Sequence, residues 1–333
     1  MTSGEMHSVT FARQYDRYKK LVEKELDVVA KERVPRSLYE PSRYVLDAGG
    51  KRIRPVLLLL ACEAVGGNAR KALHAGAAIE ILHNFTLVHD DIMDHSSSRR
   101  GRETVHTKWD SNVAILVGDA LLALAYRSLL RTTSSHIQQI AGIFTEGVVE
   151  VCEGQAYDKE FETRASVTVD EYLLMIDKKT AKMVAVAAEI GGLIGDGSPA
   201  AISALRRYGE HVGRAFQIQD DLLDIVADEK ELGKPVGGDL MEGKKTYLLL
   251  EALRAARGKD KELLRQLIRN KGVKPGLIPK YRRIYLETGA LAAARRRIEL
   301  DITKAKHELR RLPATSARSM LSWFADMLLN RTF

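Results

Sequence analysis

Two acidic clusters with the same spacing are the residues of this sequence whose types support chemistry most directly. They read DDIMD, from Asp90 to Asp94, and DDLLD, from Asp220 to Asp224. Residues four apart share one face of a helix, so the outer carboxylates of each cluster repel unless a cation lies between them. Ligands that offer only oxygen favour a hard cation. Mg²⁺ is the best candidate because it takes one or two carboxylates together with substrate phosphates.

A solvated helix end is the alternative interpretation of each acidic cluster. One DDxxD cluster alone does not distinguish a helix end from a metal site, whereas two clusters with the same spacing favour the metal site. An EF-hand is excluded because neither cluster is followed by the glycine and the bidentate glutamate of that loop. The two clusters therefore predict a metal centre of a different kind.

Basic residues lie near both acidic clusters, where an anionic ligand would need them. Arg99 and Arg100 follow the first cluster. One guanidinium group can donate two parallel hydrogen bonds to two oxygens of a phosphate. Lys234 and Lys244 follow the second cluster, with Asp239 between them. The other candidates are Lys51, Arg52 and Arg54 in GGKRIRP (49–55), and Lys179 with Thr180 in a predicted helix. Carboxylates and cations together predict Mg²⁺ with a phosphate-bearing ligand.

Two further polar side chains share predicted helix faces with the acidic clusters. His83 precedes Asp90 by seven residues and falls within about 20° of it on a helical wheel. Gln217 precedes Asp220 by three residues. We expect His83 and Gln217 to lie near the ligand, whereas His89 lies off this stripe and is interpreted as structural.

The elements that must position these residues are helices. Apolar residues recur at three- and four-residue steps almost throughout the chain. The predicted helices are 13–31, 41–65, 71–94, 112–131, 136–158, 170–193, 199–226, 243–256, 259–270, 275–288, 290–310 and 314–330. Thr168 with Glu171 forms a capping box, and Ser198-Pro199 marks another helix start. Segments 191–199 and 232–245 are predicted loops. The sequence predicts an all-α bundle in which residues 1–333 form one domain.

Composition limits the compartment and the partners. The net charge is +8, but no basic tract alternates with aromatic residues, which make up only 6% of the chain, so nucleic acid is not an expected partner. Cys62 and Cys152 match no metal spacing and indicate a reducing compartment. Glu63, Asp119 and Glu189 interrupt the longest apolar runs, and the N-terminus lacks an apolar signal segment. We expect a cytoplasmic protein without stable membrane insertion.

The order of the motifs resembles the trans-isoprenyl diphosphate synthases, a family that includes farnesyl and geranylgeranyl diphosphate synthases. The resemblance runs from about Gly49 to Thr246. It rests on GGKRIRP, HNFTLVHDDIMDHSSSRRG, KKTAK, FQIQDDLLD and GKPVGGDLMEGKKT. It implies a bundle of mostly antiparallel helices around a deep cavity, usually a homodimer, with the two aspartate motifs facing each other across the mouth of the cavity. It also implies prenyl transfer between isopentenyl diphosphate and an allylic diphosphate.

The resemblance implies a role for each candidate residue. The metal residues are Asp90, Asp94, Asp220 and Asp224, holding three Mg²⁺ ions, with Mn²⁺ as a substitute. The supporting carboxylates are Asp91, Asp221 and Asp239. The allylic diphosphate is bound by Arg99, Lys179, Lys234 and Lys244. The diphosphate of isopentenyl diphosphate is bound by Lys51, Arg54, His83 and Arg100. Thr180 and Gln217 lie near the reacting carbons.

Product length is predicted from the helix that leads into the first motif. Ile79, Leu82 and Thr86 follow one wall at helical steps, with Phe85 at its edge. In the family, a bulky residue five positions before the first aspartate, without an aromatic residue at four, resembles the pattern of synthases whose product stops at twenty carbons. Phe85 with Thr86 fits this pattern, so the resemblance implies geranylgeranyl diphosphate (C20) as the product. The alternatives are a C15 product, a product of C25 or longer, and a Phe85 that serves only core packing.

Three other functions compete with C20 synthesis. A class I terpene cyclase also has DDxxD, but it normally pairs this motif with an Asn/Ser/Glu metal motif, which DDLLD does not match. A catalytically silent subunit is expected to have lost motif aspartates or arginines, and this sequence keeps them. A basic nucleic-acid-binding protein would retain DNA at low salt.

No side chain is an obvious strong base for the proton that prenyl transfer releases, so we hypothesise that the released diphosphate accepts this proton.

Overall fold

The computed structural model describes residues 3–29, 31, 33–226 and 236–329. The chain divides into two compact units. Unit 1 comprises Met1–Phe144, Ala187–Ser203 and Leu312–Leu321; unit 2 comprises Thr145–Val186, Ala204–Arg311 and Ser322–Phe333. Unit 1 contains the first aspartate motif and unit 2 contains the second. That residues 1–333 form one domain stays a prediction.

Helices dominate the first half of the chain. They are α1 (Ser3–Val29), α2 (Arg36–Leu46), α3 (Ile53–Ala64), α4 (Leu73–Met93), α5 (Val105–Lys108), α6 (Ser111–Leu129) and α7 (Ile137–Thr163), with a 3₁₀ turn at Ala69–Ala72. Strands β1 (Ser98–Arg99) and β2 (Arg102–Glu103) form an antiparallel hairpin between α4 and α5. This hairpin is the only sheet within the described ranges.

The second half of the chain is also helical. It contains α8 (Val169–Ile176), a π-helical turn (Asp177–Ala181), α9 (Lys182–Ile194), α10 (Pro199–Val226), α11 (Gly238–Glu242), α12 (Tyr247–Ala255), α13 (Gly258–Arg269), α14 (Ile278–Glu287), α15 (Ala290–Glu308) and α16 (Ser316–Leu329). Two 3₁₀ turns lie at Pro275–Leu277 and Leu309–Arg311. The all-α prediction is confirmed.

The core of unit 1 is built around α4. The central segment of α3, PVLLLLAC (55–62), is apolar on every side and is buried on every side, as expected for a helix enclosed by others. Helix α4 packs along both α3 and α6. Its small residues Ala75, Ala77 and Ala78 are fully buried and allow this close approach. The end of α4, where the first aspartate motif lies, is therefore held by a rigid support.

The core of unit 2 is centred on the packing of α12 against α15. Leu248 and Leu249 of α12 are completely buried, as are Tyr208 of α10 and Tyr285 of α14. Helix α10 also approaches α9 without intervening side chains, because a Cβ atom on Gly209 would lie 2.5 Å from the Cα atom of Ala185. The glycine thus sets the distance between these two helices.

Two predicted helix starts are confirmed by their hydrogen bonds. The Thr168 hydroxyl accepts the Glu171 N–H at 3.2 Å, and the Glu171 carboxylate accepts the Thr168 N–H at 2.8 Å, which completes the capping box of α8. At α10, the Ser198 hydroxyl accepts the Ala201 N–H at 3.3 Å. Both signals were local, so the sequence sufficed to find them.

Four predicted segments are wrong in type or extent. The predicted loop 232–245 contains α11 (Gly238–Glu242), and the predicted helix 243–256 begins only at Tyr247. The predicted helix 41–65 is broken into α2 and α3, because Gly49 and Gly50 have φ values of +69° and +132° and Arg52 has φ +54°, which no right-handed helix contains. The predicted loop 191–199 begins only after Ile194. Gly191 stays helical because its lack of a side chain lets α9 approach α3: a Cβ atom there would lie 2.3 Å from the Leu58 carbonyl oxygen.

Helix α6 is the one described helix whose length and mean hydropathy would allow it to cross a membrane, with 44% of its apolar window buried. It carries Asp119 and packs along α4. Its other side exposes Ile115 and Leu116. Length and hydropathy are weak indicators here, since the buried helix of a globular core meets the same criteria.

Candidate active site

The first aspartate motif lies at the C-terminal end of α4, and its three carboxylates differ in burial. Asp90 is half-buried, Asp91 is buried and Asp94 is exposed. Asp94 follows the last helical residue, and its N–H donates to the Asp90 carbonyl oxygen at 2.8 Å. Negative charge at the C-terminal end of a helix interacts unfavourably with the partial negative charge of the helix macrodipole. The first and third carboxylates thus lie where a cation would stabilise them.

Asp91 is directed inward and holds Arg99. The Arg99 Nε atom donates to the Asp91 Oδ1 atom at 2.8 Å. Burial raises the pKa of Asp91, while the Arg99 charge and hydrogen bond oppose that shift. Because the ion pair is partly buried, it fixes the guanidinium of Arg99 next to the motif. This contact fits the supporting role predicted for Asp91.

The β1–β2 hairpin determines where the two arginines point. Arg99 pairs with Arg102 in the hairpin register, and Arg100 and Gly101 form the turn with φ values of +53° and +72°. Two successive positive φ values are typical of a type I′ turn. Arg100 then reaches the glycine loop before α3, where its guanidinium donates to the Gly49 carbonyl oxygen. The hairpin thus joins the RRG and GGKRIRP motifs.

Gly50 has a steric role in the same contact. A Cβ atom at this position would lie 3.1 Å from the guanidinium carbon of Arg100, and its φ of +132° disfavours any other residue. The GG pair of the motif therefore leaves space for an arginine that lies about fifty residues further along the chain.

The three cations of GGKRIRP have different environments. Lys51 is exposed and Arg54 is half-buried. Arg52 is only 4% exposed and donates to Glu80 at 2.7 Å and to the Leu46 carbonyl oxygen at 2.9 Å. Arg52 is therefore part of the scaffold and ties the start of α3 to α4. Sequence analysis had no signal for the buried partner, because Glu80 lies in an apolar stretch without a motif.

His83 lies among the arginines of unit 1. Burial lowers the pKa of His83 well below its ordinary value of 6.5, and the charges of Arg54, Arg100 and Arg99 lower it further. The imidazole is therefore neutral at pH 7 and adds a hydrogen-bonding group to a strongly positive site. The structure brings together the predicted residues His83, Arg54 and Arg100, and His83 lies about two helical turns before Asp90.

The residues predicted to control product length lie on α4 as expected. Leu82 is 2% exposed and Phe85 is 8% exposed. The Phe85 ring contacts the His89 ring edge-on, with 4.8 Å between centroids. The Thr86 hydroxyl donates to the His83 carbonyl oxygen at 2.8 Å. His89 thus supports Phe85, which agrees with the structural role predicted for this histidine.

His89 is itself accommodated by a glycine on α6. A Cβ atom on Gly118 would lie 2.0 Å from the His89 Nε2 atom. The same nitrogen lies 3.4 Å from the Ile115 carbonyl oxygen. Gly118 therefore creates the space in which His89 braces Phe85, a dependence that no sequence motif indicated.

The second aspartate motif lies on α10 and also directs its middle carboxylate inward. Asp220 is half-buried, whereas Asp221 is 5% exposed. Asp221 accepts hydrogen bonds from the Tyr172 hydroxyl, from Gln217 at 3.1 Å and from the Tyr247 N–H at 3.4 Å. Burial raises the pKa of Asp221 to about 7, although these hydrogen bonds oppose the shift. Asp221 therefore organises the interior of unit 2.

Asp224 also makes a contact that the sequence did not predict. It is 3% exposed, and its Oδ2 atom accepts the Asp239 N–H at 3.0 Å. Its carbonyl oxygen accepts the Gly237 N–H at 2.7 Å. The carboxylate thus caps the start of α11, where negative charge is favourable. Unlike Asp94, the third aspartate of this motif is turned into the protein.

Gln217 and Thr180 are brought together, as expected of two residues near one reaction centre. The Thr180 hydroxyl donates to the Gln217 Oε1 atom at 2.9 Å. Gln217 then donates to Asp221, a contact that the sequence did not indicate. Sequence reasoning also missed Tyr172, because a tyrosine in the apolar stripe of α8 resembles ordinary core packing.

The lysines predicted to bind diphosphate have local partners. Lys179 donates to Asp158 at 2.5 Å, and Lys244 lies 2.7 Å from Glu242. Lys234 lies outside the described residues. Both described lysines are partly exposed, so an incoming anion can reach them in competition with these carboxylates.

The donor set fits a hard cation in the way expected of Mg²⁺. Within the described ranges, no three His, Cys, Asp or Glu side chains form a ready metal site. Each motif offers a half-exposed first aspartate, and the first motif adds Asp94. Because Mg²⁺ commonly completes its coordination with water and substrate phosphates, two carboxylates of one motif are an adequate protein contribution.

Comparison with known proteins places these motifs in context. A family model described as polyprenyl synthetase matches residues 35–284. A short chain isoprenyl diphosphate synthase of Methanothermobacter thermautotrophicus is 43% identical over 299 residues, which covers 89% of this chain and 91% of that protein. A geranylgeranyl diphosphate synthase of Methanosarcina mazei is 48% identical over 220 residues, or 66% and 68% of the two chains. A geranylgeranyl pyrophosphate synthetase structure from Pyrococcus horikoshii superimposes with a TM-score of 0.91 at 39% identity, covering 96% of this chain and 98% of that chain.

Proposed function

We infer the function from the premise that this chain belongs to the polyprenyl synthetase family. It is a prenyltransferase that condenses isopentenyl diphosphate with dimethylallyl, geranyl or farnesyl diphosphate and makes all-trans geranylgeranyl diphosphate. Support for this product comes from relatives that are 43% and 48% identical and are named as short-chain or geranylgeranyl diphosphate synthases. The premise also accounts for the motif order that the sequence presents.

The reaction consists of ionisation, condensation and elimination. The allylic carbon–oxygen bond breaks and the diphosphate leaves with the electron pair, so catalysis requires positive charge around the leaving group. The alkene of isopentenyl diphosphate then forms the new carbon–carbon bond, and a proton is lost to the released diphosphate. The observation that carries the proposal is the grouping of Arg54, Arg99 and Arg100 around His83, which lies on the helix that ends in the first aspartate motif.

The aspartates of the two motifs would hold the divalent metal. We propose three Mg²⁺ ions, replaceable by Mn²⁺, with Asp90, Asp94 and Asp220 as the principal ligands. When bound, Mg²⁺ neutralises the negative charge that develops on the leaving diphosphate. Asp224 belongs to the same metal motif, and its contact with Asp239 supports an indirect contribution. Asp91 and Asp221 support the site through Arg99 and Gln217.

The basic residues would divide between the two substrates. The allylic diphosphate is assigned to Arg99, Lys179, Lys234 and Lys244. The diphosphate of isopentenyl diphosphate is assigned to Lys51, Arg54, His83 and Arg100. A neutral His83 suits this assignment, because an imidazole can donate a hydrogen bond to phosphate while the adjacent arginines supply the charge. Thr180 and Gln217, which bond to each other, are assigned to the neighbourhood of the reacting carbons.

Phe85 would end chain growth at twenty carbons. Its ring is nearly buried and is braced by His89, so it would resist displacement by a growing apolar chain. Leu82 and Thr86 lie on the same helix and would form the wall around it. A rigid aromatic stop is consistent with a single product length.

The enzyme is proposed to be a cytoplasmic homodimer without nucleic-acid partners or stable membrane insertion. The exposed side of α6 supports dimerisation, because its large apolar side chains Ile115 and Leu116 are 45% and 59% exposed. A second copy of the chain would remove these side chains from water.

The test is a mass-resolved product assay. Isopentenyl diphosphate is supplied with each of the three allylic starters, with Mg²⁺ or with a chelator. We expect a Mg²⁺-dependent C20 product. A C15 product, or one of C25 and above, would retain the transferase and reject the Phe85 length assignment. Cyclised hydrocarbon would indicate a cyclase, and no condensation with any starter would contradict the proposed function.

A further inference from the structure

The segment that carries Lys179 and Thr180 has an unusual backbone. Residues Asp177–Ala181 form a π-helical turn, in which the Lys182 N–H donates to the Asp177 carbonyl oxygen. Such turns are rare, and they often occur at functional sites. A widened turn has less intrinsic stability than a regular helix, so its position depends on the contacts that surround it.

Two glycines bring neighbouring helices directly against this turn. A Cβ atom on Gly154 of α7 would lie 2.3 Å from the Lys179 nitrogen. A Cβ atom on Gly213 of α10 would lie 2.5 Å from the Ala181 Cα atom. The turn is therefore packed against the backbones of α7 and α10, with no side chain to absorb a displacement.

The residue after Gly213 holds the beginning of the turn. Arg214 donates to both carboxylate oxygens of Asp177, from Nε at 2.7 Å and from a terminal nitrogen at 2.5 Å. This paired geometry fixes orientation as well as distance. The other terminal nitrogen of Arg214 donates to Asp301 of α15 at 3.3 Å. One guanidinium thus connects the π turn to α15.

Asp301 is well suited to hold that guanidinium. It is completely buried, and it also accepts from His211 at 3.0 Å and from Arg297 at 2.7 Å. Burial alone would raise the pKa of Asp301, but the hydrogen bonds from His211 and Arg297 keep it below its usual value. The carboxylate is therefore ionised, fixed on both oxygens and close to Arg214.

We propose that Asp301 is a positioning residue for prenyl transfer. It orients Arg214, and Arg214 holds the π turn that presents Lys179 and Thr180. This inference rests on the proposed function, and it concerns a residue beyond the 35–284 segment that the family model matches. Asp301 has no direct part in the chemistry, and its effect on the reaction passes through Arg214 and Asp177.

The chain offers a matched control on the same two helices. Arg207 of α10 donates to Glu308 of α15 at 2.9 Å. Arg207 lies seven residues before Arg214, and Glu308 lies seven residues after Asp301, so this ion pair joins α10 to α15 two turns away from the π turn. Loss of either pair weakens the α10–α15 packing, but only Arg214 also contacts Asp177.

The experiment measures kcat and both KM values for Asp301→Asn and Glu308→Gln, with thermal denaturation of each variant. We expect Asp301→Asn to lower kcat roughly tenfold, with the KM for isopentenyl diphosphate nearly unchanged, because misplaced reacting groups cost rate rather than binding of the second substrate. Glu308→Gln is expected to keep kcat within about twofold at a comparable loss of Tm. Equal kcat losses in the two variants would overturn the proposal.

A double-mutant cycle tests the route of the effect. Asp177→Asn should reproduce the kcat loss, and Asp177→Asn combined with Asp301→Asn should be no slower than either single variant. Additive losses would show that Asp301 acts elsewhere and would overturn the proposal. If Asp301→Asn fails to fold, Arg214→Lys replaces it, because lysine keeps the charge but cannot reproduce the paired contact with both carboxylate oxygens of Asp177. An unchanged kcat would then be the contradicting result. An inactive wild-type protein would instead reject the proposed function.

Discussion

Replacement of Phe85 by alanine examines the product-length assignment most directly. The substitution removes about six ring carbons from the wall of α4, close to the five or so carbons of one isoprene unit. If the ring ends chain growth, the main product should lengthen by one unit, from C20 to C25. Mass-resolved analysis of the products measures this directly.

The same substitution will also destabilise the protein. Phe85 is 8% exposed and contacts His89, so the loss in free energy of unfolding should be about 3–5 kcal/mol. Denaturant titration measures this cost, and the product assay is done well below the midpoint of unfolding. Loss of stability by itself gives no reason for a longer product.

Phe144 provides the control. It also lies in unit 1, is completely buried and contacts Tyr126 edge-on at 5.1 Å, but it lies on α7. Phe144→Ala should destabilise the protein to a similar extent and still yield C20. The reasoning is refuted if folded Phe85→Ala makes only C20, or if both variants lengthen the product equally.

Three further predictions concern the scaffold and the metal motif. Asp90→Asn should lower kcat at least about 100-fold in the product assay, because it removes a proposed metal ligand. The Tm should not fall, because the substitution removes an unfavourable charge from the C-terminal end of α4. Arg52→Met should cost about 3–5 kcal/mol in urea unfolding, since it leaves Glu80 buried and unpaired, and Arg52→Met with Glu80→Leu should recover most of the loss. Gly118→Ala should destabilise by about 1–3 kcal/mol through its collision with His89, and His89→Ala in the same chain should relieve it in thermal denaturation.

The sequence indicated the helices well where the signals are local. The Thr168–Glu171 capping box and the Ser198 cap each depend on residues three positions apart, so the pattern itself contains the interaction. The π turn at Asp177–Ala181 was missed because one extra residue shifts the phase of the apolar stripe only once, and a single shift resembles the ordinary variation of a buried helix face. The β1–β2 hairpin was missed because two-residue strands have no alternation to detect, although the Arg100-Gly101 turn was an available signal.

For the candidate site, the sequence predicted which residues come together better than it predicted which side chains bond to one another. The motifs identified His83, Arg54 and Arg100, which the structure brings together. The inward contact of Asp224 with Asp239 and the ion pair of Arg214 with Asp301 were not predicted. Both depend on how separate helices meet, and a single sequence contains no periodic signal for a carboxylate that faces a partner 15 or 87 positions away.

The different burial of the aspartates within each motif has an evolutionary consequence. Asp90 and Asp220 are half-buried, whereas Asp91 and Asp221 hold hydrogen bonds whose loss costs about 1–3 kcal/mol. Asp224 is also buried and holds the start of α11. A duplicated gene released from selection for turnover therefore loses Asp90, Asp94 and Asp220 first, because folding still selects for Asp91, Asp221 and Asp224. Paralogues that retain Asp91, Asp221 and Asp224 but lack the other three aspartates would be relics of this enzyme that fold and have no synthase activity.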